Sequence, residues 1–196
     1  MDKVANSKKI LSVSIASYNV EKFLDQTLES CLVPEIMDRL EVIIVNDGSK
    51  DGTADVAKKY TEKWPDTFIL VDKKNGGYGS TVNVGIKTAT GKYFRLLDGD
   101  DWFDKDGLRE FIGILEQAQE DMVIARFRRV FESDGHTGSA TRAKMFRLSR
   151  EHLTNFPTRR GLQCTQLPIA RRCLKKTMLQ LQNTASIPIR NTICCR

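Results

Sequence analysis

The chain has 196 residues, with 31 basic and 25 acidic side chains, a formal net charge of +6, and 40% hydrophobic residues. That length and balance fit a soluble α/β enzyme domain with a sizeable core and a small appendage. No apolar run approaches the roughly 20 residues that span a bilayer, and Met1–Lys9 is not followed by a signal-peptide core; the expected location is the cytoplasm, including the inner face of a membrane.

Leu11–Ala16 is predicted as a strand that ends in the polar Ser17-Tyr18-Asn19. An amphipathic helix follows over about Glu21–Leu32, with Phe23, Leu24, Leu28, Cys31 and Leu32 on one face. Val42–Val45 is a continuous apolar, β-branched run, as a parallel strand covered on both faces requires, and it ends in the turn Asn46-Asp47-Gly48-Ser49. Asp51 or Thr53 can cap the next helix, Thr53–Trp64, which Pro65-Asp66 ends; Phe68–Val71 is a short strand. The turn Asn75-Gly76-Gly77-Tyr78-Gly79 opens a helix to Ala89, whose N-terminus points partial positive charge toward any nearby anion. Tyr93–Leu97 is a strand, Lys105–Glu120 a helix with Leu108, Phe111, Ile112 and Leu115 inward and Asp104 as its cap, and Met122–Ala125 a further strand. Val130–Glu132 and the 144–148 segment are expected to form a hairpin around Ser133-Asp134-Gly135. Alternating strands and helices predict a parallel-dominated sheet.

Three strands thus end in loops rich in Asn, Asp and Ser, and in a parallel sheet these ends form one pocket, where open α/β sheets bind ligands. Directly after Tyr93–Leu97 come three carboxylates within four residues, Asp98, Asp100 and Asp101. Like charges so close repel, and a hard divalent cation with oxygen ligands is the natural compensator; the competing reading is a solvated acidic turn with Gly99 for flexibility. The second acidic turn at Asp47 favours the first. Gly77–Val82 can be drawn as a dinucleotide-binding turn, but it lacks the third glycine and a well-placed acid on the next strand.

The segments Val13–Asn19, Val45–Thr53, Asn75-Gly76-Gly77 with Asn83, and Ala89–Tyr93 leading into Leu97–Asp101 together resemble a family 2 glycosyltransferase of the GT-A nucleotide-sugar-binding fold, from about Lys9 to about Ile112. The resemblance implies a Rossmann-like, mostly parallel sheet flanked by helices, and a UDP-sugar donor. It implies that Ala16, Ser17 and Tyr18 border the base, that Asp47 holds the uracil or ribose edge, and that Asn75, Gly77 and Asn83 line the nucleotide site. Asp98 with Gly99 then contacts the ribose side, and Asp100 binds Mn2+ or Mg2+, with Asp98 as the alternative ligand. The metal would stabilise charge on the leaving UDP. Trp102 and Phe103 read as core or pocket wall rather than a sugar platform. The implied acceptor is a glycan or a lipid-linked sugar, with peripheral membrane contact.

Two departures stand against the family pattern. The Arg that usually precedes Asn83 is Val82 here. The family's base, which takes the proton from the acceptor hydroxyl, comes from an acidic motif far downstream, yet no Asp or Glu follows Glu151. Glu132, Asp134 and Glu151 remain, outside any recognisable acceptor motif, so the catalytic base is unknown and the acceptor half incomplete. From His152 onward there are eight basic residues and no acids, leaving 23 basic against 25 acidic in 1–151. Such a tail invites an anionic partner, but no aromatic follows Phe156 to stack on single-stranded nucleic acid, and nucleic acid is not expected. Four of the five cysteines lie there without C-x-x-C spacing, which argues against zinc and against a disulfide framework. The reading divides the chain into an extension (1–8), a nucleotide-sugar-binding domain (9–150) and a basic tail (151–196). The tail is expected to pack poorly from about Pro157, and its abrupt loss of acids and of family resemblance suggests a reading frame that shifts between Pro157 and Gln166.

Overall fold

The computed structural model describes residues 9–120, 122–124, 127–130, 137–140, 144–146 and 169–170. Its elements run β1 (Leu11–Ser17), α1 (Glu21–Ser30), a 3-10 turn (Pro34–Ile36), β2 (Leu40–Asn46), α2 (Thr53–Lys63), β3 (Phe68–Asp72), α3 (Tyr78–Thr88), β4 (Tyr93–Asp98) and α4 (Lys105–Gln117). Short strands β5 (Met122–Ile124), β6 (Phe127–Val130), β7 (Thr137–Ala140), β8 (Lys144–Phe146) and β9 (Ile169–Ala170) follow.

Seven strands form one sheet in the order β3-β2-β1-β4-β9-β5-β8. The first four are parallel, and β9, β5 and β8 add an antiparallel edge. This is the Rossmann-like, mostly parallel sheet flanked by helices that the sequence predicted. Leu11, Val13 and Ile15 pack with Leu24 and Leu28 of α1, Ala57 and Tyr60 of α2, and Leu108, Phe111, Ile112 and Leu115 of α4. The opposite face packs Ile43, Val45, Phe94 and Leu96 against Val82 and Ile86 of α3. Both faces of β2 are therefore dry, and all seven of its residues are buried, which is why the sequence there is continuously apolar instead of alternating. α3 can lie close because residue 85 is glycine: a Cβ there would come within 2.7 Å of Ser14 Cβ on β1.

The hairpin is paired differently from the expectation. β6 pairs with β7, and residues 144–146 pair antiparallel with β5 in the main sheet. The partner of Phe127–Val130 is the segment nearer in sequence, as short connections favour. Two residues of the basic tail join the sheet, Ile169 and Ala170, between β4 and β5. The extension 1–8, the carboxylates Glu132, Asp134 and Glu151, the proposed frame change and the rest of the tail lie outside the described residues.

Candidate functional site

The register brings the three loop-bearing strand ends level. Ser17 pairs with Asn46 on one side of β1, and Ala16 pairs with Asp98 on the other. Neighbouring strands lie about 4.8 Å apart, so Asp47 and Asp98 flank the end of β1 at roughly 10 Å from each other. Side chains alternate across a strand. Asp98 and Ala16 thus share the α3 face with Phe94 and Leu96, and Asp47 shares it with Val45. Ser17 falls on the other face, fully buried, its hydroxyl without a hydrogen-bond partner among the described residues.

Asp47 is only 3% exposed. Its carboxylate accepts from the backbone N–H of Gly76 at 2.9 Å and of Gly77 at 2.8 Å, and it forms an ion pair with Lys73. Burial opposes its ionisation, but the hydrogen bond and charge of Lys73 and the two backbone donors prevail and hold its carboxyl below the usual range. Gly48 makes the turn possible: its φ is +71°, and a Cβ would sit 2.9 Å from the backbone N of Asn75. Asn46 stitches the surrounding loops, accepting from Ser49 N and Oγ at 3.1 and 2.5 Å and donating to Asp72 at 2.8 Å. Ser49 Oγ in turn accepts from the Asn19 N–H at 3.1 Å.

The strap that Asp47 holds continues into α3. Gly77 precedes the helix with φ +78°, and Tyr78, its first residue, donates its hydroxyl to Asp98 Oδ1 at 3.1 Å. The strap therefore runs from the end of β2 to the end of β4, over Ala16. At the acidic turn, Thr27 of α1 donates to the Gly99 carbonyl at 3.0 Å and the Asp101 N–H donates to the Asp98 carbonyl at 3.1 Å. Burial and the charge of Asp100 push the Asp98 carboxyl upward, against the Tyr78 hydrogen bond. Asp101 lies at the surface, yet the protein packed behind it strips part of its hydration. That loss, with the charges of Asp98 and Asp100, pushes its carboxyl upward too, against the opposing pull of Arg95. Arg95 is buried beneath the turn, its guanidinium carbon 5.0 Å from the Phe103 ring centre and 6.0 Å from that of Phe111. Burial lowers its pKa to about 10 despite Asp101 and Cys31.

The sequence model of Glycosyl transferase family 2 matches residues 12–179. This chain belongs to that family. It is 35% identical over 127 residues to the putative glycosyltransferase EpsH of Bacillus subtilis (strain 168), covering 65% of this chain and 36% of EpsH. It is 31% identical over 128 residues to the minor teichoic acid biosynthesis protein GgaB of the same organism, covering 65% of this chain and 14% of GgaB. Among solved structures, S. aureus TarS 1–349 in complex with UDP-GlcNAc superposes with a TM-score of 0.63 at 22% identity, covering 86% of this chain and 47% of that one. The mannosyltransferase PcManGT from Pyrobaculum calidifontis, in complex with GDP-Man and Mn2+, superposes at 0.53 and 21% identity, covering 64% and 37%. The solved structures share the GT-A fold. The chain spans well under half the length of EpsH and GgaB. The family match runs past Ile112 and into the basic tail, which removes loss of resemblance as a support for a shifted reading frame; the absence of acids after Glu151 stands.

Within this family 2 fold, Ala16, Asp47, Gly77, Asp98 and Gly99 converge at the end of β1, and Asn75 packs its backbone on Gly48. Tyr18 stands at the rim, 48% exposed, and Asp100 is exposed on the turn. Asn83 lies on α3 about 140° around the helix from Tyr78, away from the Tyr78–Asp98 contact. Asp104, not Asp101, caps α4, accepting from the Gly107 N–H at 2.7 Å. Trp102 is 45% exposed and not a core residue; Phe103 alone packs inward. Lys73 and Tyr78 are the participants that sequence reasoning missed. Nothing in the local pattern separates Lys73 from its exposed neighbour Lys74, and Tyr78 read only as part of a glycine-rich turn. Among the described residues no group of three or more His, Cys, Asp or Glu could hold a metal ion. Asp98 and Asp100, two hard oxygen ligands on one turn, fit a divalent ion that shares its coordination with substrate phosphates.

Proposed function

We propose that this chain binds a UDP-sugar across the ends of β1, β2 and β4. In this reading it is the donor-binding part of a metal-dependent, inverting glycosyltransferase that serves cell-envelope or polysaccharide synthesis. The observation that carries the reading is the convergence of Asp47, Asp98 and the Gly76–Tyr78 strap over Ala16. It is supported by TarS, solved with UDP and with UDP-GlcNAc, by PcManGT, solved with Mn2+, and by GgaB, a teichoic acid biosynthesis protein.

The base lies against the Ala16-Ser17 backbone and the Tyr18 ring. Asp47 shapes that wall chiefly through the loop it holds, because its carboxylate is already engaged with Gly76, Gly77 and Lys73. Asn75, Gly77 and Asn83 belong to the nucleotide side, Asp98 with Gly99 meets the ribose, and Asp100 holds Mn2+ or Mg2+, with Asp98 as the alternative ligand. The bound ion would supply positive charge for the departing diphosphate, electrostatic help that the Val82 position no longer offers. The acceptor is a glycan or a lipid-linked sugar, met in the cytoplasm or at the inner face of the membrane; no helix among the described residues is long and apolar enough to cross one.

A second reading is a nucleotide-sugar-binding chain that does not transfer, since no carboxylate among the described residues stands in an acceptor motif. Incubation with UDP-sugars and Mn2+, following UDP release, separates the two, since binding without release favours the second. For both, thermal shift with UDP is expected to require Mn2+, and Asp100→Asn is expected to abolish most of that shift, because a neutral amide cannot offset divalent charge. Equal UDP shifts for wild type and variant in Mn2+ overturn the assignment of Asp100.

A further inference from the structure

We infer that Tyr78 is a positioning residue for the donor: its hydroxyl fixes the rotation of Asp98 and thereby leaves one carboxylate oxygen aimed at the bound nucleotide. The inference rests on the donor reading above. Tyr78 Oη stands 3.1 Å from Asp98 Oδ1, so Oδ2 is the oxygen left for a ligand. Asp98 terminates β4, where its own backbone already carries the turn to Asp101, so only the side-chain torsions remain to be set. A carboxylate with no partner rotates among several torsions; a phenol donor on one oxygen narrows them. Tyr78 is itself fixed. It is the first residue of α3, directly after the two amides that the buried Asp47 grips, and its hydroxyl is reached only because that strap is held down. The route Asp47, Gly76-Gly77, Tyr78, Asp98 therefore links the base side of the cleft to its ribose side through one short segment.

The position is also suited to contact. Tyr78 is 38% exposed, at the opening of the cleft, while Val82, one turn later on α3, is buried in the core. At its first turn α3 thus offers the cleft a phenol, while position 82 offers it no polar side chain.

The test is a double-mutant cycle on the full chain with Mn2+ and UDP, measured by titration calorimetry. Tyr78→Phe keeps the ring and removes the hydroxyl. It is expected to weaken UDP binding about tenfold, because the carboxylate that the phenol pre-orients must then be ordered on binding. In the Asp98→Asn background the same change is expected to alter UDP affinity less than twofold, because the group it orients no longer carries the charge; a merely structural tyrosine gives equal losses in both backgrounds. Equal losses, or no loss in the single variant while the wild type binds, overturn the inference and leave the donor reading intact. A wild type that does not bind UDP with Mn2+ overturns both.

Discussion

Replacing Asp47 with Asn asks whether charge holds the strap. The side chain is 3% exposed and accepts from Gly76 at 2.9 Å, from Gly77 at 2.8 Å and from Lys73. An amide has nearly the same shape, but one arm then points N–H at N–H, and the charge opposite Lys73 is lost. Hydrogen bonds to a charged group are worth about 1.5–3 kcal/mol each, and breaking a buried ion pair costs about 3–5 kcal/mol. Two features reduce the loss: the Lys73 side chain is 19% exposed and can turn to water, and Asn retains one acceptor. A net loss of about 2–3 kcal/mol is expected, which for a chain of this size lowers the melting temperature by roughly 4–12 °C.

The pH dependence sharpens the test. The folded Asp47 carboxyl is held below its unfolded value of about 3.9, so its contribution is fully present above that value and disappears as pH falls through the folded pKa. Urea unfolding of wild type and Asp47→Asn, followed by tryptophan fluorescence, is expected to differ most at pH 5–7 and to converge in acid below about pH 4. A gap under about 0.5 kcal/mol at pH 7, within the range of ordinary surface changes, or a gap that persists unchanged in acid, refutes the reasoning.

Asp98→Asn is expected to act in the opposite direction on stability: burial and Asp100 raise the folded pKa, a penalty absent below about pH 4 and fully present at pH 7. The variant should melt roughly 1–3 °C above wild type at pH 7, with no advantage in acid, while binding UDP more weakly; a lower melting temperature at pH 7 contradicts this. Glu41→Ala removes a carboxylate that is 4% exposed and accepts from Ser12 Oγ at 2.5 Å, Thr90 Oγ1 at 2.7 Å and Thr90 N at 2.9 Å. The expected loss is about 2–4 kcal/mol, with UDP affinity unchanged below the melting transition, because this network sits at the far end of the strands; a parallel loss of UDP affinity contradicts it.

The core strands were legible because burial on both faces leaves an unbroken apolar run, as at Val42–Val45, and the helices because their inward residues recur at helical spacing, as at Leu108, Phe111, Ile112 and Leu115. Residue types at the strand ends pointed to the cleft before the register did. What sequence could not carry was the partner of each polar group. Asp47 reads as a contact to the uracil or ribose edge, and its partners within the fold, Gly76, Gly77 and Lys73, are 26 to 30 residues away. Trp102 reads as core or pocket wall; at 45% exposure beside the acidic turn it is not core, which leaves pocket wall. The hairpin was misassigned for a related reason: a turn signal marks where the chain reverses and leaves open which nearby segment returns.

The distribution of carboxylates along the sheet separates what folds the chain from what it is built to bind. At the start of β2, Glu41 is buried with three donors around it. At the end of β2, Asp47 is buried with two amides and a lysine. Both are compensated entirely by the protein. At the end of β4 the pattern breaks: Asp98 and Asp101 are pushed upward, Asp100 stands between them, and their partners are a single phenol and an arginine buried below the turn. Sequence could have placed a lysine there as easily as it did at position 73. On the donor reading, excess negative charge at this strand end, beside a strap whose Gly76 and Gly77 amides Asp47 already takes, suits a site whose positive charge arrives with its ligand. On the donor reading proposed above, the cost in stability that Asp98 carries is the counterpart of affinity for that ligand.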